Sequence, residues 1–299
     1  MPKRETSSPF AASPKMQVKS SCHLQLFYEL SFAAVLLGLV SNCTAGSIPS
    51  SPGIERGFRQ MYNLEFDDAH KTFATWEKDH PTDPLGPASN AAAYLFAEFD
   101  RLNILHSEFF VEDSMFHHRP KVIADPAVRD AFTRELSKAE QLADEILAHS
   151  PQETQAMFAK SMTLGLRADY TALIERHYLD SLKVMKTGRA LAEKILSIEP
   201  EYYDAYLAVG VENYLLSLKP APVRWVLQMN GAETDRDIGI EKLRLTAEKG
   251  HYLLPYARLL LAVAALRKKD RTQARDILSD LSHQFPHNRL YAEELARLQ

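Results

Sequence analysis

Cysteine is nearly missing from this chain of 299 residues: there are two, Cys22 and Cys43, and both fall within the first 45 positions. The polypeptide beyond them can hold no internal disulfide, no cysteine-ligated zinc and no thiol nucleophile. Glycine is scarce, at 11 residues, and no Gly-rich phosphate loop, Gly-x-Ser-x-Gly or His-Glu-x-x-His occurs. That removes the common nucleotide-binding, serine-hydrolase and zinc-protease signatures. The formal charge is only −4, so there is no basic footprint for nucleic acid. The apolar run Leu30 to Val40 has eleven residues, short of the roughly 20 that a membrane-spanning helix needs.

That run does fit the core of a signal peptide. Lys3, Arg4, Lys15 and Lys19 precede it, and small residues follow in SNCTAGS. Residues 1–45 are therefore expected to be an export signal, starting at Met1 or at Met16. Glu29, beside the run, argues against a longer span, because a carboxylate inside a bilayer is costly. Two maturation routes are open, cleavage after Ala45 or lipidation at Cys43. LVSNC resembles the lipobox of bacterial lipoproteins, although Asn42 stands where Gly or Ala is usual. The four basic residues of the leader against Glu5 and Glu29 leave −6 for the rest, as suits an acidic periplasmic or cell-envelope protein. Residues 46–53, with SIPSSPG, read as a flexible tether, and residues 54–299 as one helical domain.

What the domain has in quantity is alanine, leucine and glutamate, which lose little freedom in a helix. Four of its segments end alike: FDDAHKTFATWEKDHP, LSKAEQLADEILAHSP, MKTGRALAEKILSIEP and RTQARDILSDLSHQFP. In each, a small residue stands twelve positions before the closing proline: Ala69, Ala139, Gly188 and Ala274 before Pro81, Pro151, Pro200 and Pro286. Four positions after the small residue come Phe73, Ala143, Ala192 and Leu278. Positions i and i+4 share a helix face, so the small residue lets a neighbouring helix approach and its partner fills the contact. The proline ends the helix. Asp125 followed by Pro126 predicts an N-cap and a first helical residue.

The repeat is interrupted by SLKPAPVRWVLQMNGAETDRDIG, Ser217 to Gly239. Pro222 suits the first turn of a short helix near 222–230, and Gly231 its stop. Thr234 to Asp237 reads as a capping box, with the Thr234 hydroxyl accepting from the Asp237 amide. The helix that follows carries Ile240, Leu243 and Ala247 at helical spacing and stops at Gly250. Trp225 is expected to pack, and Arg236 to pair with a carboxylate nearby.

The small-residue and proline pattern resembles the second helix of the tetratricopeptide repeat. Gly57, Phe66, Ala69, Phe73 and Pro81 carry it in the first unit, and Ala262, Ala265 and Pro286 in the last. The resemblance implies an all-α fold of stacked antiparallel helix pairs, an α-solenoid. The interrupting segment is similar to one in the eukaryotic inclusion-body-clearance and tetratricopeptide-repeat-39 proteins, through Ser217, Leu218, Pro220, Gly231, Asp235, Arg236 and Gly239. It implies an interaction protein with no catalytic centre. This chain is shorter and carries a leader, unlike that family.

An α-solenoid binds on its concave face. The expected function is that of an exported, non-enzymatic scaffold for a protein or peptide partner, without cofactor. Candidate groove residues are those expected on first helices: Phe58, Tyr62, Tyr94, Phe158, Asn213, Tyr214 and Tyr256. In peptide-carboxylate-gripping tetratricopeptide domains an Asn on a first helix faces the groove, which singles out Asn213, although no matching Lys and Arg pattern accompanies it. A second reading is a metal-dependent enzyme using the insertion 106–118. There Asp113 and His117, and Glu108 and Glu112, would lie one turn apart on a helix. The bland reading buries Phe109, Phe110, Met115 and Phe116 and solvates the charges. A third is a structural subunit of a cell-envelope complex.

Overall fold

The computed structural model describes residues 51–105 and 122–298. These residues form twelve α-helices and no strand. Five antiparallel pairs follow one another along the chain. The first is α1 (Pro52–Tyr62) with α2 (Phe66–Asp79), and the second α3 (Leu85–Arg101) with α4 (Pro126–His149). The third is α5 (Thr154–Tyr170) with α6 (Tyr178–Ile198). The fourth joins α7 (Tyr206–Ser217) to α9 (Arg236–Lys249), with the short α8 (Ala221–Met229) inserted between them. The fifth is α10 (Leu254–Arg267) with α11 (Arg271–Gln284), after which α12 (Arg289–Arg297) caps the end. A single turn of π-helix, Thr171–Glu175, joins α5 to α6 and closes on Arg176 in the left-handed region at φ 64°.

The proline-punctuated segments are α2, α4, α6 and α11, and each stops within two residues of its proline. Ala69, Ala139, Gly188 and Ala274 are buried, as are Phe73, Ala143, Ala192 and Leu278. At Gly57 the reason for a small residue is explicit: a Cβ there would sit 2.2 Å from the Phe73 ring. Asp125 caps α4, accepting from the amides of Ala127 and Val128, and Pro126 opens the helix. Helix α1 begins at Pro52, inside the stretch read as a tether. Its proline is pre-organised for a helix start, and Gly53 packs under Trp76, where a Cβ would come within 2.8 Å of the indole.

The first and last pairs meet. The Tyr62 hydroxyl of α1 donates to the Tyr252 carbonyl (3.1 Å), and Asn288 Nδ2 donates to the Tyr62 carbonyl (2.8 Å). Phe58 stacks on Tyr252 and Tyr62 lies against Phe285, with ring centroids 5.4 and 5.7 Å apart. The His287 amide donates to Asn63 Oδ1, and Arg289 pairs with Asp100 at 2.7 Å. Aromatic rings from both ends thus pack on one another where the ends meet.

Candidate functional site

Helix α8 has no buried residue. Val223, Trp225, Val226 and Met229 are all exposed, Trp225 at 62% and Met229 at 69%. With Pro222 they fall on one face at helical spacing, while Arg224 and Leu227 turn inward. Exposed apolar residues are ordinary singly, but a contiguous patch is not. The expectation that Trp225 packs is therefore overturned. Helix α8 is inserted between α7 and α9, which pack directly on one another, backbone to backbone. A Cβ at Gly239 would approach Tyr214 N to 2.6 Å, and one at Gly210 would approach Leu243 N to 2.9 Å. The two helices bury their facing surfaces against each other, and α8 is left outside that contact.

The return from α8 is instead fastened by polar groups, centred on Arg189 of α6. Arg189 is 7% exposed. It lies 3.0 Å from Glu233, 3.1 Å from Glu193 and 3.3 Å from Glu212, and donates to the Gly231 carbonyl at 3.1 Å. The contact with Glu212 is at ion-pair distance but lacks hydrogen-bond alignment. Burial pushes the Glu212 carboxyl up, and the Arg189 charge opposes that rise. The Glu233 amide reaches Glu212 Oε1 at 3.4 Å. Lys186 donates to the Asn230 carbonyl at 2.6 Å. Arg224 Nη1 donates back to the Ser217 carbonyl, tying the other end of α8.

Asn213, fully buried, completes the fastening: Nδ2 donates to Glu233 Oε2 (2.9 Å) and to the Val209 carbonyl, and Oδ1 accepts from the Asp235 amide (3.1 Å). The helix α9 cap is Asp235, whose carboxylate accepts from the Asp237 and Ile238 amides. The expected Thr234 cap is thus displaced by one residue, because the Thr234 hydroxyl accepts from Gln228 Nε2 instead. Gly231 stands at φ +76° and turns the chain out of α8, as expected. Arg236 has no carboxylate partner among the described residues, and its Nε is buried without a hydrogen bond. The guanidinium that meets the acids is Arg189; Glu193 lies one turn away on its own helix, but local pattern does not mark the other two partners, 23 and 44 residues away in sequence.

The other candidate residues divide. Phe58, Tyr62, Phe158 and Tyr256 line a common cavity of about 110 Å³. Tyr94 lies over His70 of α2, ring centroids 3.9 Å apart. Tyr214 is buried against α9 among Leu243, Ala257 and Ala264. Cys43 and the insertion 106–118 lie outside the described residues. Among the described residues no group of three or more His, Cys, Asp or Glu is placed to hold a metal ion, and no helix is long and apolar enough to cross a membrane.

Fold and geometry together define an all-helical protein of sequential antiparallel pairs with one protruding, pinned helix. Comparison with protein-family models, with curated proteins and with solved structures finds no match. The likeness of residues 217–239 to a known family segment rests on those residues alone.

Proposed function

We propose that this chain is an exported, non-catalytic scaffold of the tetratricopeptide-like α-solenoid type, and that it engages a protein partner through α8. The observation that carries the reading is that α8 buries nothing of its own while Trp225, Met229, Val223 and Val226 face solvent. Tryptophan and methionine on one helical face are suited to a partner's apolar groove, the helix-in-groove mode of recognition. The Arg189 fastening supports it further, because a docking element held in place loses less freedom on binding. The concave side contributes less surface than an open solenoid would, since its first-helix aromatics pack on rings from the last pair and its flanking loops.

The test is capture from cell-envelope extracts with Trp225→Glu/Met229→Glu, against wild type and a charge reversal at exposed Lys268. The protein retained by wild type and by the Lys268 variant is expected to be lost from the double variant. Equal retention by all three would remove α8 from the account.

A further inference from the structure

One face of α5 (Phe158, Ser161, Met162, Gly165, Leu166 and Asp169, at helical spacing) forms a wall of the 110 Å³ cavity. Phe96 of α3 and Tyr256 of α10 meet edge to face across it, centroids 5.6 Å apart. A second apolar space of about 80 Å³ adjoins, sharing Met61, Tyr62, Phe96 and Tyr256. Gly165 is exposed and a Cβ there would meet nothing within 4 Å, so the cavity reaches solvent at that point.

Two carboxyl groups line this apolar space, and they differ. Asp204 is fully engaged: its oxygens accept from the amides of His251 (2.9 Å), Tyr252 (3.2 and 3.3 Å) and Leu253 (2.8 Å). Asp169 has no hydrogen-bond or ion-pair partner among the described residues, and burial alone pushes its carboxyl up to about 7. Among the described residues no Lys, Arg or His lines the cavity. Asp169 is half-buried, and a carboxyl so placed lacks the partner that charges withdrawn from water normally have. The neighbouring ring faces attract a cation as well, and the two adjoining spaces, about 110 and 80 Å³, together exceed the roughly 150 Å³ of an apolar cavity that holds benzene.

We propose that this cavity binds a small apolar amine, with its ammonium group against Asp169 and its hydrocarbon body among the rings of Phe158, Phe96 and Tyr256. The ligand class follows from an acid without a partner, Asp169, beside one whose oxygens are already engaged, Asp204, in a ring-lined space. Binding should strengthen as Asp169 ionises, from pH 6 to pH 8; among the described residues the other titratable groups lining the cavity are Asp204, Tyr62 and Tyr256.

Calorimetric titration of the full chain compares benzylamine with benzyl alcohol, a neutral molecule of nearly the same shape. Benzylamine is expected to bind wild type about tenfold tighter than the alcohol, one hydrogen-bonded charge pair's worth. Asp169→Asn should abolish that preference. Gly165→Leu, which fills the mouth, should weaken both ligands about tenfold and serves as the test if the first variant does not fold. Equal affinity of amine and alcohol for wild type, unchanged benzylamine binding in Asp169→Asn or in Gly165→Leu, or no benzylamine binding at millimolar concentration would overturn the proposal.

Discussion

Arg189 of α6 and Glu233, in the turn after α8, lie 3.0 Å apart across 44 residues of sequence. That pair, with Glu212 beneath it, holds the return of an otherwise unsupported helix. Removing the cation leaves Glu212, 1% exposed, without its counter-charge. Arg189→Met is expected to cost about 3–5 kcal/mol, the usual penalty for a buried charge stripped of its partner. Urea denaturation of the variant measures it. Adding Glu212→Gln should recover part of the loss, since the stranded charge goes with it; no recovery would place the cost elsewhere.

Backbone contact between α7 and α9 gives a second expectation. Gly239→Ala must displace the Tyr214 backbone, 2.6 Å from the new Cβ, and should cost about 1–3 kcal/mol by overpacking. Gly165→Ala, with nothing within 4 Å, should instead stabilise by about 0.5–1 kcal/mol through helix propensity. Denaturant midpoints of the two variants on opposite sides of wild type would bear this out. Two equal shifts would contradict it.

Asp169 makes stability depend on pH. Its folded-state pKa, about 7, lies above the ordinary carboxyl value of 3.8. The folded chain therefore holds that proton more tightly than the unfolded chain does, and the associated stability is full below about pH 4 and lost as pH rises through 7. Asp169→Asn, which cannot ionise, should gain on wild type over that interval. The variant's advantage in unfolding free energy should be larger at pH 8 than at pH 4.5, and a pH-independent difference would refute the linkage.

Joining of the two ends is tested at Asn288. Its Nδ2 donates to the Tyr62 carbonyl and its Oδ1 accepts from the Leu290 amide, so it links α1 to α12 and caps α12 together. Asn288→Ala should cost about 2 kcal/mol, a lost cap plus an unanswered buried carbonyl. Hydrogen exchange should accelerate in α1 as well as in α12. Acceleration confined to α12 would mean that the link contributes nothing.

Much of the architecture could be read from local chemistry. The small-residue-to-proline spacing marked α2, α4, α6 and α11, and Asp125 with Pro126 marked the start of α4, because helix faces, caps and stops depend on neighbours within a few positions. The corner from Pro220 to Gly231 was legible for the same reason. Trp225 was not: whether a tryptophan packs depends on which distant helices cover it, and α7 and α9 close on one another at Gly210 and Gly239 with α8 left outside. Arg189, Asp169 and the bridge from Tyr62 to Tyr252 were equally hidden. Each is defined by partners, or by a lack of partners, contributed from distant parts of the chain. Between Thr234 and Asp235, both good caps, the choice fell to Gln228, a helix away.

The central claim is that α8 is the docking element, and photo-crosslinking from its surface tests that most directly. A benzophenone side chain placed at position 225 in cell-envelope extract should give one discrete adduct, and the same group at exposed position 268 should not. The 225 adduct should also disappear when Met229→Glu is added, which leaves the fold intact because Met229 is exposed. No adduct at 225, or an adduct insensitive to Met229→Glu, would contradict the account.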